Sequence, residues 1–390
     1  MIMDDKSAYY RETKLMHAGR KPEDYFGVVN PPICRASTIL YKDLEAYFDP
    51  KTKFRYGRIN NPLSDAFEGA MAELEGGFHA ITASSGMAAI STTLLAFVKS
   101  GDHILMVDTC YPPTRFFANK QLRSFGVEVE YYDPMIGAGI KDLIRENTSV
   151  IYLESPGSAT FEVQDVPAIV KVAKENDILT VMDNTYSAGV LFRPLEHGVN
   201  ISVQSAAKYL GGHSDVNLGV AVADTETRYK VLKSCAMNLG TCAGAEDLYL
   251  SLRGLRTLEM RLSYAEKNMH SILAWFEGRR EVQALYSPVL ETNRGHDTWK
   301  RDFSGANGVF SVLFKPEYKR DDIARFVDSL TLFPVGSSWG GYESLIQPQD
   351  MKSYRSDWTQ EGMFIRFQIG NENPKDLIAD LEQGILNLKT

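Results

Sequence analysis

Between Ala80 and Ala223 the chain alternates short, almost wholly apolar runs with stretches of helical periodicity, and few architectures accept that rhythm. The runs are His103–Asp108, Ser149–Glu154, Leu179–Asp183, Ile201–Gln204 and Gly219–Ala223. A strand that reads apolar throughout, rather than at every second residue, is covered on both faces. Buried strands alternating with helices predict an α/β fold with a mainly parallel central sheet and helices on both faces.

The flanks read differently. Up to about Pro50, charge, Pro31-Pro32 and short apolar stretches mix without a period, which predicts an irregular arm that must lie on something else. Between Asp247 and Gly278, Leu248, Leu252, Leu255, Leu258 and Leu262, then Met269, Ile272 and Phe276, recur at helical spacing. We expect one long linking helix there. Beyond it, Gly308–Phe314 and Met363–Ile369 read as strands and Pro374–Leu388 as a closing helix, so a smaller α+β unit follows the large one. The predicted organisation is an arm over 1–55, a large domain over 56–246, and a linking helix with the C-terminal domain over 247–390.

Charge and cysteines narrow the classes. With 42 basic and 50 acidic side chains the net charge is −8, which gives nucleic acid or an anionic membrane no broad reason to bind. No apolar run approaches the ~20 residues of a spanning helix, and Met1–Tyr10 has no apolar signal core. Cys34, Cys110, Cys235 and Cys242 stand far apart with no Cys-x-x-Cys pair. We expect reduced thiols and a cytoplasmic protein.

Three segments can carry chemistry. Asp183 ends an apolar run at the carboxyl end of a presumed parallel strand, where open α/β sheets bind their ligands. After the next strand comes Ser205-Ala-Ala-Lys208, followed by Gly211-Gly212, which let the backbone approach a ligand closely. Ser84-Ser85-Gly86-Met87 opens a helical pattern, so free N–H groups and the helix dipole would face an anion. Each has a plain reading too: a strand-end turn, a surface lysine, an ordinary helix cap.

Together with Tyr56-Gly57-Arg58, Glu154-Ser-Pro156, Asp183-Asn-Thr-Tyr186 and Gly212-His-Ser-Asp215, these segments resemble the pyridoxal-phosphate enzymes of cysteine and methionine metabolism. The likeness runs from about Leu15 to about Leu381. Ser338-Trp339-Gly340-Gly341-Tyr342-Glu343, Ile365-Arg366, Arg35-Ala-Ser37, Val190-Leu-Phe192 and Lys300-Arg-Asp-Phe303 are similar to its bacterial cystathionine β-lyase branch. The resemblance implies a fold-type I transferase-like architecture and pyridoxal 5'-phosphate as cofactor. It makes Lys208 the lysine that carries the cofactor, Asp183 the partner of its ring nitrogen, and Tyr111 the aromatic stacked on the ring. Ser85, Gly86, Met87 and Ser205 would hold the phosphate, with Tyr56 and Arg58 reaching in from a neighbouring subunit, Tyr56 and Tyr111 joining Lys208 in catalytic roles. Arg366, Ser338, Trp339 and Tyr111 would meet a sulfur-containing amino acid. The expected assembly is a homotetramer with shared sites, and the expected reaction is cleavage of cystathionine to homocysteine, pyruvate and ammonia. Cystathionine γ-lyase, γ-synthase and cysteine desulfhydrase activities share this machinery.

Two positions depart from the family pattern. Ala207 replaces a threonine common before the lysine, removing a hydroxyl whose bond to a charged group is worth ~1.5–3 kcal/mol. Ser158 stands where many members have an asparagine, as β-lyase-like members tend to. Other classes fare poorly. Gly336-Ser-Ser338-Trp-Gly340 matches the serine-hydrolase pattern, but the last histidine, His296, precedes Ser338, against the usual order. A non-catalytic regulator would not need Lys208, Asp183 and Arg366 together. No His-Glu-x-x-His occurs, and His213 reads as a structural histidine bonded to its own loop.

Overall fold

The computed structural model describes residues 9–353 and 355–388. Its larger sheet has seven strands: β1 (His79–Ala83), β2 (His103–Val107), β3 (Glu128–Tyr132), β4 (Thr148–Glu154), β5 (Leu179–Asp183), β6 (Ile201–Ser205) and β7 (Gly219–Ala223). Their order is β1-β7-β6-β5-β4-β2-β3. The pairs from β6 across to β3 are parallel, and β7 runs antiparallel between β1 and β6. β2, β5 and β7 are buried along essentially their whole length, as their apolar runs require. One large cluster, including Leu105, Leu153, Val181 and Val203, forms the core between this sheet and its helices.

The smaller sheet is wholly antiparallel: β8 (Val282–Tyr286), β9 (Val309–Phe314), β10 (Leu345–Gln349) and β11 (Phe364–Gln368), in the order β10-β11-β9-β8. A second core, with Phe276, Phe310, Phe314, Phe326 and Phe367, fills the space between it and its helices. The two units are clasped by Arg355. This buried guanidinium binds Asp108 just past β2 (3.0 Å) and Glu162 in the loop after β4 (3.1 Å).

The expected single linking helix is two, Ala245–Leu255 and Leu258–Phe276. Between them Arg256 N–H donates to Arg253 O and Thr257 N–H to Gly254 O, a tightened turn. The Arg256 guanidinium meanwhile reaches the carbonyls of Leu15 and Ala18. Just before this turn Gly254 lies against the carbonyls of Leu210 and Gly211, so close that a Cβ would sit 2.1 Å from Leu210 O. Apolar periodicity alone carries across such a bend unchanged.

Candidate active site

In the parallel part of the sheet, chain order reverses at β2: β3 lies on one side of it, β4, β5 and β6 on the other. A crevice opens at such a switch point, beyond the strands' carboxyl ends. Here it is a cleft of about 620 Å³, closed on its far side by the smaller unit. Ser85, Gly86, Met87, Tyr111, Asp183, Ser205, Lys208, Ser338, Trp339 and Arg366 all line it. Tyr56 and Arg58 of the same chain do not. Tyr56 is exposed, and Arg58 Nη1 donates to Met237 O (3.0 Å).

Consider first the strand ends. Asp183 closes β5, is buried, and accepts from Thr185 N–H at 2.9 Å. Thr185 Oγ1 in turn accepts from Ser205 N–H at 2.9 Å, which ties the acid to the end of β6. Burial raises the Asp183 carboxyl above its usual range, opposed by the Thr185 hydrogen bonds and the Lys208 charge. Lys208 follows by one tight turn, its N–H donating to Ser205 O (3.2 Å).

The Lys208 amine donates to Ser338 Oγ at 2.7 Å. Desolvation, with the Arg366 guanidinium second, lowers its pKa to about 8, against the pull of Asp183. At pH 7 roughly a tenth of such an amine is neutral, against less than about one in a thousand for an ordinary lysine. Arg366, on β11, donates from Nη2 to Ser338 O at 2.7 Å and to the Gln347 side-chain oxygen. Ser338 thus receives both cations of the cleft, and it does so from a φ of +115°, a conformation non-glycine residues rarely adopt. Gly340 lets this loop lie against the lysine's own backbone: a Cβ there would meet Tyr209 N at 2.8 Å and Lys208 C at 3.0 Å. Trp339 lies with its ring centroid 5.8 Å from Lys208 Nζ.

At the anion end, the helix Gly86–Phe97 starts against Ser205. A Cβ on Gly86 would stand 2.6 Å from Ser205 Cβ, so the residue is needed to keep this cradle open. Ser85 caps the helix by accepting from Ala88 N–H (3.1 Å), and the first N–H groups, on Gly86 and Met87, have no acceptor within the helix. A cradle of small residues at a helix N-terminus, a lysine of lowered basicity and a buried acid fit pyridoxal phosphate. Ala207 also lines the cleft, so the departure from threonine falls at the site itself.

Two carboxyls to which the sequence assigns no role stand at and behind this site. Glu154 ends β4 beside Asp183 in register. It accepts from Tyr111 N–H (2.6 Å) and Ser158 Oγ (2.5 Å). Burial first, then the Asp183 charge, hold it well above the usual carboxylate range. Tyr111 is therefore placed by an acid on the neighbouring strand, and burial first, then the Asp183 and Glu154 charges, raise its phenol above the ordinary tyrosine range. Glu75, at the end of the helix Pro62–Glu75, is fully buried behind the strand ends. It accepts from Asn184 Nδ2 (3.2 and 3.3 Å) and from the Gln204 amide, neighbours of Asp183 and Ser205, and burial pushes it up to about 7. His213 Nδ1 lies 2.8 Å from Gly211 O, within its own loop.

The fold and this cleft define an α/β enzyme built around pyridoxal phosphate. The chain belongs to the family described as "Cys/Met metabolism PLP-dependent enzyme", which matches residues 12–386. It is 44% identical over 380 residues to a putative cystathionine β-lyase of Rhizobium johnstonii, covering 95% of each chain. To the cystathionine β-lyase of Escherichia coli K12 it is 38% identical over 390 residues, covering 97% of this chain and 98% of the other. Among solved structures, the cystathionine γ-lyase of Lactobacillus plantarum in complex with L-serine superposes with a TM-score of 0.90 at 29% identity, over 97% and 99% of the two chains. Among the described residues no helix is long and apolar enough to cross a membrane.

Proposed function

We propose that this protein is a β-lyase that splits the Cβ–S bond of cystathionine, releasing homocysteine, pyruvate and ammonia with one water consumed. The carrying observation is the pairing of Lys208, held near pKa 8, with Arg366 through one residue, Ser338. That arrangement puts a proton acceptor and a carboxylate-binding fork on the same small piece of cleft. Relatives named as cystathionine β-lyases support the choice of reaction within the family.

Gly86, Met87, Ser85 and Ser205 would hold the cofactor's phosphate, Lys208 its aldehyde carbon and Asp183 its ring nitrogen, with Tyr111 against the ring. When bound, the cofactor supplies an electron sink for the negative charge left at the substrate's Cα. Arg366 binds the α-carboxylate with the planar, two-pronged geometry that a lysine lacks. Lys208 Nζ takes the Cα proton and later returns a proton to the departing sulfur. Asp183 keeps a negative charge available deep in the site, and Trp339 reduces water access. Ser338 aims both cations.

The active unit we propose is an oligomer, a homotetramer by the family likeness, in which Tyr56 and Arg58 enter a neighbour's cleft. The exposed apolar side chains of the arm, Phe26, Val28, Val29, Leu40 and Phe48, support burial against a second copy. Four free cysteines support work in a reducing compartment, the cytoplasm.

The test is product analysis. Cofactor-loaded protein given cystathionine should yield pyruvate and homocysteine, and Lys208→Ala should lose both turnover and the visible absorbance of lysine-bound cofactor. Formation of 2-oxobutyrate and cysteine would move the protein to γ-elimination. An active Lys208→Ala protein would refute the assignment.

A further inference from the structure

A lyase acting on cystathionine must hold a substrate with two amino-acid ends, and the groups considered so far attend to one. Arg366 meets the carboxylate of the reacting end, while Lys208 and Asp183 serve the chemistry at its amine. The far end brings a second ammonium, which calls for an acid.

Glu154, Asp183 and Asp350 are the acids that line the cleft. The first two are buried at strand ends and already committed, Asp183 to Thr185 N–H and Glu154 to Tyr111 N–H and Ser158 Oγ. Asp350 differs on each count. It is exposed, it lies where the chain leaves β10, and its carboxylate has no hydrogen bond or ion pair among the described residues. Among the described residues its backbone oxygen is engaged, by Ser353 N–H (3.2 Å) and Ser353 Oγ (2.8 Å).

The spacing suits the substrate. β10 pairs with β11 so that Gln347 stands opposite Arg366, and the two side chains are hydrogen-bonded. Pro348, Gln349 and Asp350 continue the same cleft wall outward. Three residues of extended chain from Gln347 to Asp350 advance about 10 Å. The bonds from the carboxylate carbon of one end of cystathionine to the ammonium nitrogen of the other span roughly 9 Å when extended. A substrate clamped at Arg366 and lying along β10 therefore brings its far ammonium to the neighbourhood of Asp350.

We propose that Asp350 is the specificity residue for the far end of the substrate, receiving the distal ammonium of a diamino diacid thioether. The assignment rests on the β-lyase reading of the cleft. It predicts a preference for substrates with two amino-acid ends over cysteine conjugates with one.

The experiment compares wild-type, Asp350→Asn and Asp350→Lys holoenzymes on cystathionine and on S-methyl-L-cysteine, which has the same Cβ–S bond and no distal ammonium. Because Asp350 is exposed, both variants should fold as the parent does. The KM for cystathionine should rise up to about fivefold in Asp350→Asn, the scale of an exposed ion pair, and further with the reversed charge of Asp350→Lys. Values of kcat, and both constants for S-methyl-L-cysteine, should stay close to wild type. Equal changes for the two substrates, or none for either, would overturn the role of Asp350 while leaving β-elimination in place. Wild-type protein that makes no pyruvate from cystathionine would overturn the lyase reading and this assignment with it.

Discussion

Arg366 combines two effects that a pair of substitutions can separate. In the proposed reaction its guanidinium clamps the substrate carboxylate, held by Ser338 O and Gln347, and its charge adds to burial in lowering Lys208 to about 8. A charge-assisted hydrogen bond to the substrate is worth about 1.5–3 kcal/mol, so losing one costs roughly 10- to 100-fold in kcat/KM. Arg366→Met removes clamp and charge together. Arg366→Lys keeps the charge and loses the fork. Lys208 must be neutral to take a proton, so the rate climbs as pH rises through its pKa, and anything that makes the amine more basic moves that limb to higher pH. In Arg366→Met the limb should shift upward, since the neighbouring positive charge is gone, and KM should rise. In Arg366→Lys KM should rise while the limb stays near its wild-type position. Pyruvate release coupled to lactate dehydrogenase, followed from about pH 6 to about pH 10, gives both readings. Equal shifts of the limb in the two variants, or an unchanged KM in both, would refute the placement of Arg366 as both clamp and neighbouring charge.

Glu154→Gln should retain activity to within about an order of magnitude, because burial and Asp183 already disfavour the charge on this carboxyl and an amide still accepts from Tyr111 N–H; Glu154→Ala should lose far more. Steady-state kinetics of the two variants decides it. Glu75 has a folded pKa raised to about 7, so its stabilising contribution is present below its unfolded value and is lost as pH climbs toward 7. Glu75→Gln should therefore gain stability relative to wild type, by roughly 3 kcal/mol, between about pH 5 and pH 8 in urea unfolding; a pH-independent difference would contradict this. Finally, Tyr56→Ala and Lys208→Ala proteins, each inactive alone, should regain about a quarter of the activity per site when their subunits are mixed and reassembled, if sites are shared between copies. No recovery in a verified hetero-oligomer would place Tyr56 outside the neighbour's site.

How legible the fold was depended on burial. The interior strands β2, β4, β5, β6 and β7 stand out in the sequence because sheets covered on both faces need apolar runs. β3 does not, since Glu128-Val-Glu-Tyr-Tyr132 is an edge strand only partly covered. β10 is an edge too, and carries Pro348, which argues against a strand in any local reading. The same limit applies to the site. Asp183 and Lys208 are legible because strand ends and glycine-rich turns mark them. Glu75 and Glu154 become conspicuous only when the packing that strips their water is known, for nothing in a single glutamate's neighbours announces burial. The resemblance drew attention to Glu154-Ser-Pro156 without a role for its acid.

Ser338 illustrates why such a site cannot be read from local preference at all. A serine at φ +115° costs on the order of 1–3 kcal/mol of backbone strain. Glycine would remove that strain, as Gly340 does two positions later at φ +83°. Glycine would also remove the Oγ that accepts from Lys208. The strained residue thus holds Arg366 with its backbone oxygen and Lys208 with its hydroxyl at once, and their charge-assisted bonds, at about 1.5–3 kcal/mol each, are large enough to offset the strain. Two cations that repel one another are kept close by a shared acceptor, and burial first, then that repulsion, lowers the basicity of the lysine that takes the proton in the proposed reaction.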